Sequence, residues 1–330
     1  MNRSKSSGIL SSLIVCIILI ITASFFFIYR QRIIDQIAVW QFKPSSQITG
    51  LVDRAGMNDN GKFYYFASKP KLDATQTFNS ECSRVEKTTS ILGCYNGANI
   101  FIYDVTDSQL DGIREVTATH ETLHAIYLRL SNDAKTRVNK LVEAEYAKLA
   151  SNSDYKELIA FYDRTEPGQR DNELHSIIGT EVANISPELE TYYDQYFSDR
   201  KKVVDLDVKY SSVFKGLKAR ADELTSQMNT LSTSITSRTN DYNNATKTLN
   251  NDISSFNSKA SSGGFSSMSQ FNYERNLLSV RASNLDDLRN SINADINKYQ
   301  ALLDEYNSIA SESTKLYNVI DSTLAPAPSI

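Results

Sequence analysis

Hydrophobic residues recur every seven positions through the last third of the chain. The first apolar series begins at Leu217, and a second, offset by four positions, begins at Ala221. A Gly/Ser-rich stretch follows, after which residues 278–316 carry two further series with the same repeat. This spacing predicts helices whose apolar stripes pack on a partner helix. We therefore expect residues 201–321 to form a long antiparallel coiled-coil hairpin with its turn near residues 260–270.

Three charged residues, Arg238, Arg281 and Asp295, interrupt the apolar series. They either pair across the hairpin and set its register or are simple imperfections of the repeat. Beyond the hairpin, residues 322–330 contain two Ala-Pro steps, and we expect this tail to be disordered.

The start of the chain has a different pattern, because Ile9 to Tyr29 carries no charged residue. About 20 apolar residues are enough to cross a bilayer as a helix. No small-residue cleavage site precedes Arg30, so we predict an uncleaved transmembrane anchor at residues 9–29. Residues 1–8 are then a short tail, and residues 30–60 are a juxtamembrane connector. Basic residues flank both ends of the span, so charge alone does not decide its orientation.

Between connector and hairpin, residues 61–200 mix strand and helix signals, which predicts an α+β domain. The aromatic run Phe63–Phe66 and the run Asn99–Val105 predict strands. The second strand is either a sheet edge that can pair with an extended peptide or an interior strand. Helical spacing continues from the next segment onward, with further helices expected at three places: residues 133–149, 153–162 and 171–181.

Composition narrows the function classes. The chain has 330 residues, a formal net charge of −4 and 22% charged residues, so no basic excess favours nucleic acid. Cys82 and Cys94 are the two cysteines outside the apolar span. We predict a disulfide between them, the alternatives being two free thiols or a two-ligand metal site. Because disulfides persist in oxidising compartments, this pair places residues 30–330 outside the cytoplasm.

The candidate chemistry lies in the segment His120-Glu121-x-x-His124. Helical residues four apart share a face, so His120 and His124 can bind one metal ion. Glu121, one step around the helix, can then act as a base on a metal-activated water. Zinc hydrolysis needs two neutral imidazoles of this kind, a third ligand and an open coordination position. We therefore expect Zn²⁺ as the cofactor.

We expect the third metal ligand to lie on the predicted helix at residues 171–181. Glu173, His175 and Glu181 are its candidates. Glu173 and Glu181 lie about 80° apart around a helix, whereas Glu173 and His175 lie about 160° apart. An undistorted helix therefore presents Glu173 or His175 to the metal, but not both.

Together, His120-Glu121-x-x-His124 and Asn172-Glu173-x-x-Ser176 resemble the gluzincins, the thermolysin-like clan of zinc metallopeptidases. The resemblance extends over residues 95–185. It implies a zincin-like domain with a small sheet and active-site helices. It also implies that His120, His124 and Glu173 bind the metal and that Glu121 is the general base.

Supporting groups around such a site are expected from general chemistry. A histidine ligand usually donates its second ring nitrogen to an oxygen acceptor, for which Glu181, Asp171 and Asp104 are candidates. A tyrosine or histidine commonly polarises the substrate carbonyl. We name His175 for this catalytic role. The next candidates for this role are three tyrosines: Tyr162, Tyr192 and Tyr193.

Taken together, the sequence predicts a membrane-anchored, extracytoplasmic zinc metallopeptidase that acts on a peptide or protein substrate. Its hairpin is expected to engage a protein partner. The alternative is a surface coiled-coil scaffold whose zincin-like domain is structural or inactive. An intact Glu121 favours the enzyme, since a structural zinc site needs no carboxylate base.

Overall fold

The computed structural model describes residues 4–82, 91–149, 151, 153–165 and 167–322. The predicted disordered tail therefore lies outside the described residues apart from Ser322, as do the first three residues of the N-terminal tail. The chain divides into two compact units. The first runs to Val213 and resumes at Tyr317, and the second comprises Phe214–Leu316.

Helices dominate the described chain, with one small sheet. In chain order, the elements before the candidate metal site are α1 (Ser4–Gln41), α2 (Ser46–Arg54), α3 (Asp59–Ala67), β1 (Lys71–Asp73), α4 (Thr75–Glu81), β2 (Gly93–Tyr95) and β3 (Ile100–Tyr103). The later elements are α5 (Ile113–Arg129), α6 (Asn132–Leu149), α7 (Ser153–Thr165), α8 (Arg170–Glu181), α9 (Pro187–Tyr193), α10 (Lys201–Ser261) and α11 (Met268–Ile320). The helices predicted after the metal motif are confirmed.

The N-terminal helix α1 is long and apolar enough to cross a membrane. It does not end at residue 29, because the same helix continues to Gln41. The segment predicted as a juxtamembrane connector is thus mostly helical. Most of residues 30–60 belongs to α1, α2 and the start of α3.

The strand predicted at Phe63–Phe66 is wrong, since these residues belong to α3. The Asn58 side chain accepts hydrogen bonds from the backbone N–H groups of Asn60 and Gly61 at 3.0 Å. This N-cap starts a helix that buries Tyr65 in the core, and it outweighs the strand preference of the aromatic run.

The sheet has the strand order β1-β3-β2. β3 confirms the second predicted strand, and Ile100, Phe101 and Ile102 are its buried residues. β1 pairs with β3 in parallel and β2 pairs with it antiparallel. β3 is therefore the interior strand, and β2 is an edge strand.

A disulfide joins Cys82 at the end of α4 to Cys94 in β2, as the sequence predicts. Cys82 packs against Phe78 and Phe101, which are both buried. The bridge therefore attaches the edge strand to a small apolar cluster on the far side of β3. Residues 83–90, within the loop that this bridge closes, lie outside the described residues.

The core of the first unit is centred on the packing of α5 against α8. Leu123 and Ile126 of α5 and Ile177 and Ile178 of α8 are buried in one cluster. Gly179 allows the helices to approach closely, because a Cβ there would lie 2.5 Å from Leu123 Cδ1. This close packing fixes the relative positions of the two helices that carry the candidate ligands.

In the second unit, α10 and α11 are joined by ion pairs between the two helices. Arg281 contacts Asp252 at 2.7 Å, and Lys259 contacts Glu274 at 2.7 Å. Arg238 likewise pairs with Asp295. Residue numbers fall along α11 as they rise along α10, so the helices are antiparallel. Two of the three interruptions thus pair with each other, and the third pairs with Asp252. The coiled-coil packing itself stays a prediction.

The guanidinium of Arg200 is expected to stabilise the end of α8. It is buried and donates to the carbonyl oxygens of Val182 at 2.8 Å and Ala183 at 3.2 Å, and it also contacts Glu190 at 2.7 Å. Arg200→Leu leaves these acceptors without their donor, so we expect unfolding free energy to fall by about 2–4 kcal/mol. Urea denaturation followed by near-ultraviolet circular dichroism measures this. The matched control is Lys201→Leu, which removes only an exposed ion pair; equal effects of the two would contradict the prediction.

Candidate metal centre

Helix α5 presents the two histidines of the motif on one side. Ala118, Leu123 and Ile126 of the same helix are buried in the core, so α5 is held by apolar contacts along its length. The rings of His120 and His124 lie 4.7 Å apart between centroids, as expected for positions one turn apart.

Glu173 of α8 lies opposite the two histidines. Its Oε2 is 3.7 Å from His120 Nε2, and its Oε1 is 3.5 Å from His124 Nε2. One ligand atom from each of the three residues lies within 4.8 Å of the others, so this group can hold a metal ion. The structure thus brings together His120, His124 and Glu173, which is the predicted ligand set.

The Glu173 carboxylate is buried, and one of its oxygens is not hydrogen-bonded within the described part of the chain. It is only 3% exposed, and Oε2 has no hydrogen-bond partner among the described residues. Burial alone would raise its pKa, but with no metal ion bound, attraction to the protonated forms of His124 and His120 leaves the pKa below its ordinary value. A buried carboxylate oxygen facing two imidazole nitrogens suits a shared cation.

Two residues of α8 contact His124 Nδ1 and fix the orientation of its ring. Its Nδ1 lies 3.0 Å from Asn172 Oδ1 and 3.2 Å from Ser176 Oγ. Asn172 Nδ2 donates to Gln169 Oε1 at 3.1 Å, which turns the amide oxygen toward His124. Nδ1 therefore carries the proton, and the lone pair of Nε2 faces Glu173 and the candidate site.

Glu121 lies beside this group and against the edge strand. A Cβ at Gly93 would be 2.6 Å from Thr117 Cγ2 and 2.9 Å from Glu121 Oε1. Only glycine lets β2 pass this close to the face of α5 that carries the carboxylate. Glu121 is 6% exposed, so its carboxylate lies in a partly desolvated environment.

A cavity of about 710 Å³ opens over the three ligand residues. Residues 91–97, including β2, form one wall, and His120, Glu121 and His124 of α5 form the floor. The end of α7, three residues of α8 (Asn172, Glu173 and Glu181) and Tyr210 of α10 also line it. The three candidate ligands, the candidate base Glu121 and the edge strand β2 therefore face the same cavity.

His175 lies away from this cavity in an aromatic cluster. It is fully buried, its Nε2 is 2.8 Å from Tyr192 OH, and its backbone carbonyl accepts from Tyr193 OH at 2.6 Å. Burial lowers the pKa of His175 to about 3, so the imidazole is neutral. Tyr192 and Tyr193 hold His175 in this buried cluster and away from the cavity, so the structure does not support its predicted role of polarising the substrate carbonyl.

The acidic candidates for supporting His124 also lie elsewhere. Asp104 accepts from Arg114 at 2.7 Å, and Asp171 accepts from Asn139 at 2.6 Å. Glu181 lines the cavity but is outside the three-residue ligand group. Of the three tyrosines expected nearby, Tyr162 lines the cavity.

Sequence reasoning missed the supporting residues around the ligands. Asn172 and Ser176 lie four positions apart on the helix that carries Glu173, so helical spacing could have placed them on one face. Gly93 carries no such signal, because its contact with α5 depends on how β2 crosses that helix. Tyr95 likewise reaches the cavity only through the sheet register.

Comparisons with family models, with curated proteins and with solved structures found no match to this chain. The assignment of the site therefore depends on the geometry and chemistry of its own residues.

The ligand group predicts stoichiometric metal binding. We expect about one divalent metal ion per purified chain, because two neutral imidazoles and a carboxylate supply three protein ligands. Elemental analysis after dialysis should show that occupancy falls at least about tenfold in His120→Ala, in His124→Ala and in Glu173→Ala. The exposed Glu188→Gln variant is the control. Full occupancy in the His120→Ala, His124→Ala double variant would exclude this site.

The close approach at Gly93 predicts a local destabilisation. Gly93→Ala should lower unfolding free energy by about 1–3 kcal/mol, because its Cβ overlaps Thr117 and Glu121. Gly50→Ala is the matched control, since no atom lies within 4 Å of its new Cβ and alanine favours the helix. Thermal denaturation compares the two. Equal melting of Gly93→Ala and the parent would show that β2 is not held against α5.

Proposed function

We propose that this chain is a membrane-anchored, extracytoplasmic zinc metallopeptidase. The observation that carries the proposal is the presence of Glu121 in the same cavity as the His120, His124 and Glu173 group. A metal site with a purely structural role would not need an accessible cavity with a carboxylate at its floor.

Zinc fits the donor set best. Two imidazole nitrogens and one carboxylate oxygen are typical of catalytic zinc, and they leave a coordination position open. When bound, zinc supplies a Lewis acid that polarises the substrate carbonyl and lowers the pKa of water toward 7. Asn172 and Ser176 contribute by holding His124 in the tautomer that can bind.

Glu121 is proposed as the general base and acid. Its carboxylate leaves α5 about 100° from His120, which turns it away from the ligand positions and toward the cavity. There it accepts a proton from the attacking water and then delivers it to the leaving amine. The contact with Gly93 limits the positions that the carboxylate can adopt during this transfer.

A peptide is the substrate class that the cavity wall favours. β2 is an edge strand, and residues 91–97 face the cavity. The backbone groups of an edge strand can pair with an extended chain irrespective of its sequence. Together with the resemblance to gluzincins, this supports hydrolysis of peptide bonds in a domain of zincin-like fold.

Two further features support the proposed location. The apolar segment of α1 provides a single membrane anchor. The disulfide between Cys82 and Cys94 favours an oxidising compartment, and hence an extracytoplasmic first unit.

The second unit is proposed to be a coiled-coil hairpin that engages a protein partner. The cross-helix ion pairs support the pairing of α10 with α11, and the heptad series supply the apolar seam. The same hairpin supports the alternative function, a surface scaffold with an inactive zincin-like domain. Catalysis by the first unit separates the two proposals.

The decisive variant is Glu121→Gln, which keeps the size of the side chain but cannot accept a proton. We expect metal occupancy to stay near that of the parent while peptide hydrolysis falls about 10²–10⁴-fold. Hydrolysis is measured on a mixed-sequence fluorogenic peptide library, with occupancy determined on the same samples.

Two variants frame this measurement. Glu173→Ala should lose metal and activity together, whereas Glu188→Gln, exposed on α9, should change neither. Hydrolysis by Glu121→Gln at the parental rate would reject Glu121 as the base. A parent that holds zinc but cleaves no peptide in the library would favour the scaffold.

A further inference from the structure

The anchor helix enters the first unit without a break. α1 continues through Gln41, and Asp35 and Ala38 on its inner side are 2% and 8% exposed. Arg32 stacks on the ring of Phe63 in α3, with its guanidinium carbon 3.7 Å from the ring centroid. The segment that follows the apolar span is therefore part of the folded domain rather than a flexible stalk.

A buried ion pair connects α1 to the helix that carries the metal ligands. Arg129, in the last turn of α5, donates from Nε and Nη2 to the Asp35 carboxylate at 2.9–3.2 Å. Gln31 also donates to Asp35 Oδ1, at 3.0 Å. The helix that precedes Asp35 is thus attached to α5 by several hydrogen bonds to one carboxylate.

The same arginine reaches the cavity. Arg129 Nη1 donates to Tyr95 OH at 2.9 Å and to the carbonyl of Ala125 at 2.8 Å. Tyr95 belongs to β2 and lines the cavity. Two side-chain contacts therefore lead from the anchor helix to the cavity wall.

Breaking this connection would leave two buried charges without their partners. The Asp35 and Arg129 side chains are 3% and 10% exposed, so neither charge can exchange its partner for water without opening the contact. Burial alone would lower the pKa of Arg129, but Asp35 and Tyr95 leave it raised. The Arg129 guanidinium therefore stays charged at neutral pH.

The length of α1 beyond its apolar span gives the height of the Asp35 contact above the bilayer. Asp35 lies six residues beyond Tyr29, the last residue of the apolar span. At 1.5 Å per residue this is about 9 Å along the helix axis, and a typical tilt changes it little. The headgroup layer on one side of a bilayer is roughly 5–8 Å thick. The contact at Asp35 thus lies close to the lipid headgroups.

We propose that the substrate of this site is a membrane-adjacent peptide segment, the juxtamembrane stretch of another membrane-anchored polypeptide. The inference rests on the proposed peptidase function and adds a restriction on where the substrate must lie. Anchoring enzyme and substrate in one bilayer raises their effective concentration only where the geometry lets them meet. A cavity held at fixed height favours bonds near the surface and excludes bonds held rigidly far above it.

Reporter substrates of different height test this restriction. The full chain is placed in liposomes with a single-span reporter carrying a sequence selected from the cleaved library peptides. In one reporter this sequence follows the span directly. In the other it follows a continuous helical spacer of four EAAAK repeats, about 30 Å long. We expect the first reporter to be cleaved at least about tenfold faster. The free peptide reports the intrinsic activity.

An insertion variant supplies the matched test of the fixed height. Twelve Gly/Ser residues placed between Arg30 and Gln31 extend the reach by roughly 17–21 Å but leave Asp35 with Arg129. This variant should reduce the difference between the two reporters at least about threefold and cleave the free peptide at the parental rate. The control carries the same insertion at Gly263, in the turn between α10 and α11, and should behave as the parent.

A physical readout independent of catalysis uses Trp40, the only tryptophan of the chain, which is 74% exposed. Energy transfer from Trp40 to dansyl-labelled lipid headgroups should fall at least about twofold after the insertion at Arg30. Equal cleavage of both reporters by the parent, or unchanged energy transfer in the variant, would overturn the fixed height. Failure to cleave even the free peptide would overturn the peptidase function instead, whatever the energy transfer shows.

Discussion

The packing of α5 against α8 is the interaction on which the candidate metal centre depends. The motif on α5 supplies two ligands, but the third comes from a helix that begins 41 residues after α5 ends, at Arg170 against Arg129. Gly179 allows the two helices to meet closely, and Leu123 and Ile177 fill their interface. Because this interface is apolar and densely packed, small changes in it move Glu173 relative to both histidines.

The short strand β2 contacts α5 at two points and is bonded to the end of α4. Gly93 packs against Glu121, Cys94 is bonded to the end of α4, and Tyr95 accepts from Arg129, which also binds Asp35 of α1. Each residue of this strand therefore has a different partner. Three residues alone would form a marginal edge, and these attachments compensate for its shortness.

The sequence predicted those features whose signal is local and periodic. His120 and His124 share a face because of helical spacing, and the long helices follow from their heptads. The strand predicted from the aromatic run around Tyr65 was wrong because capping by Asn58 starts a helix there. Spacing could not place His175, because the aromatic cluster that buries it comes from another helix. The role of β2 depends on its contacts with α5, which no single segment of sequence encodes.

The ion pairs of the second unit have a consequence for alignment. A seven-residue repeat tolerates sliding of one helix along the other in steps of seven, since each step matches apolar residues again. In three cross-helix pairs (Arg238 with Asp295, Asp252 with Arg281 and Lys259 with Glu274) the residue numbers add to the same total. One step of sliding would instead set Arg238 opposite Leu288 or Leu302. The charged residues that interrupt the heptads therefore favour a single alignment of α10 with α11.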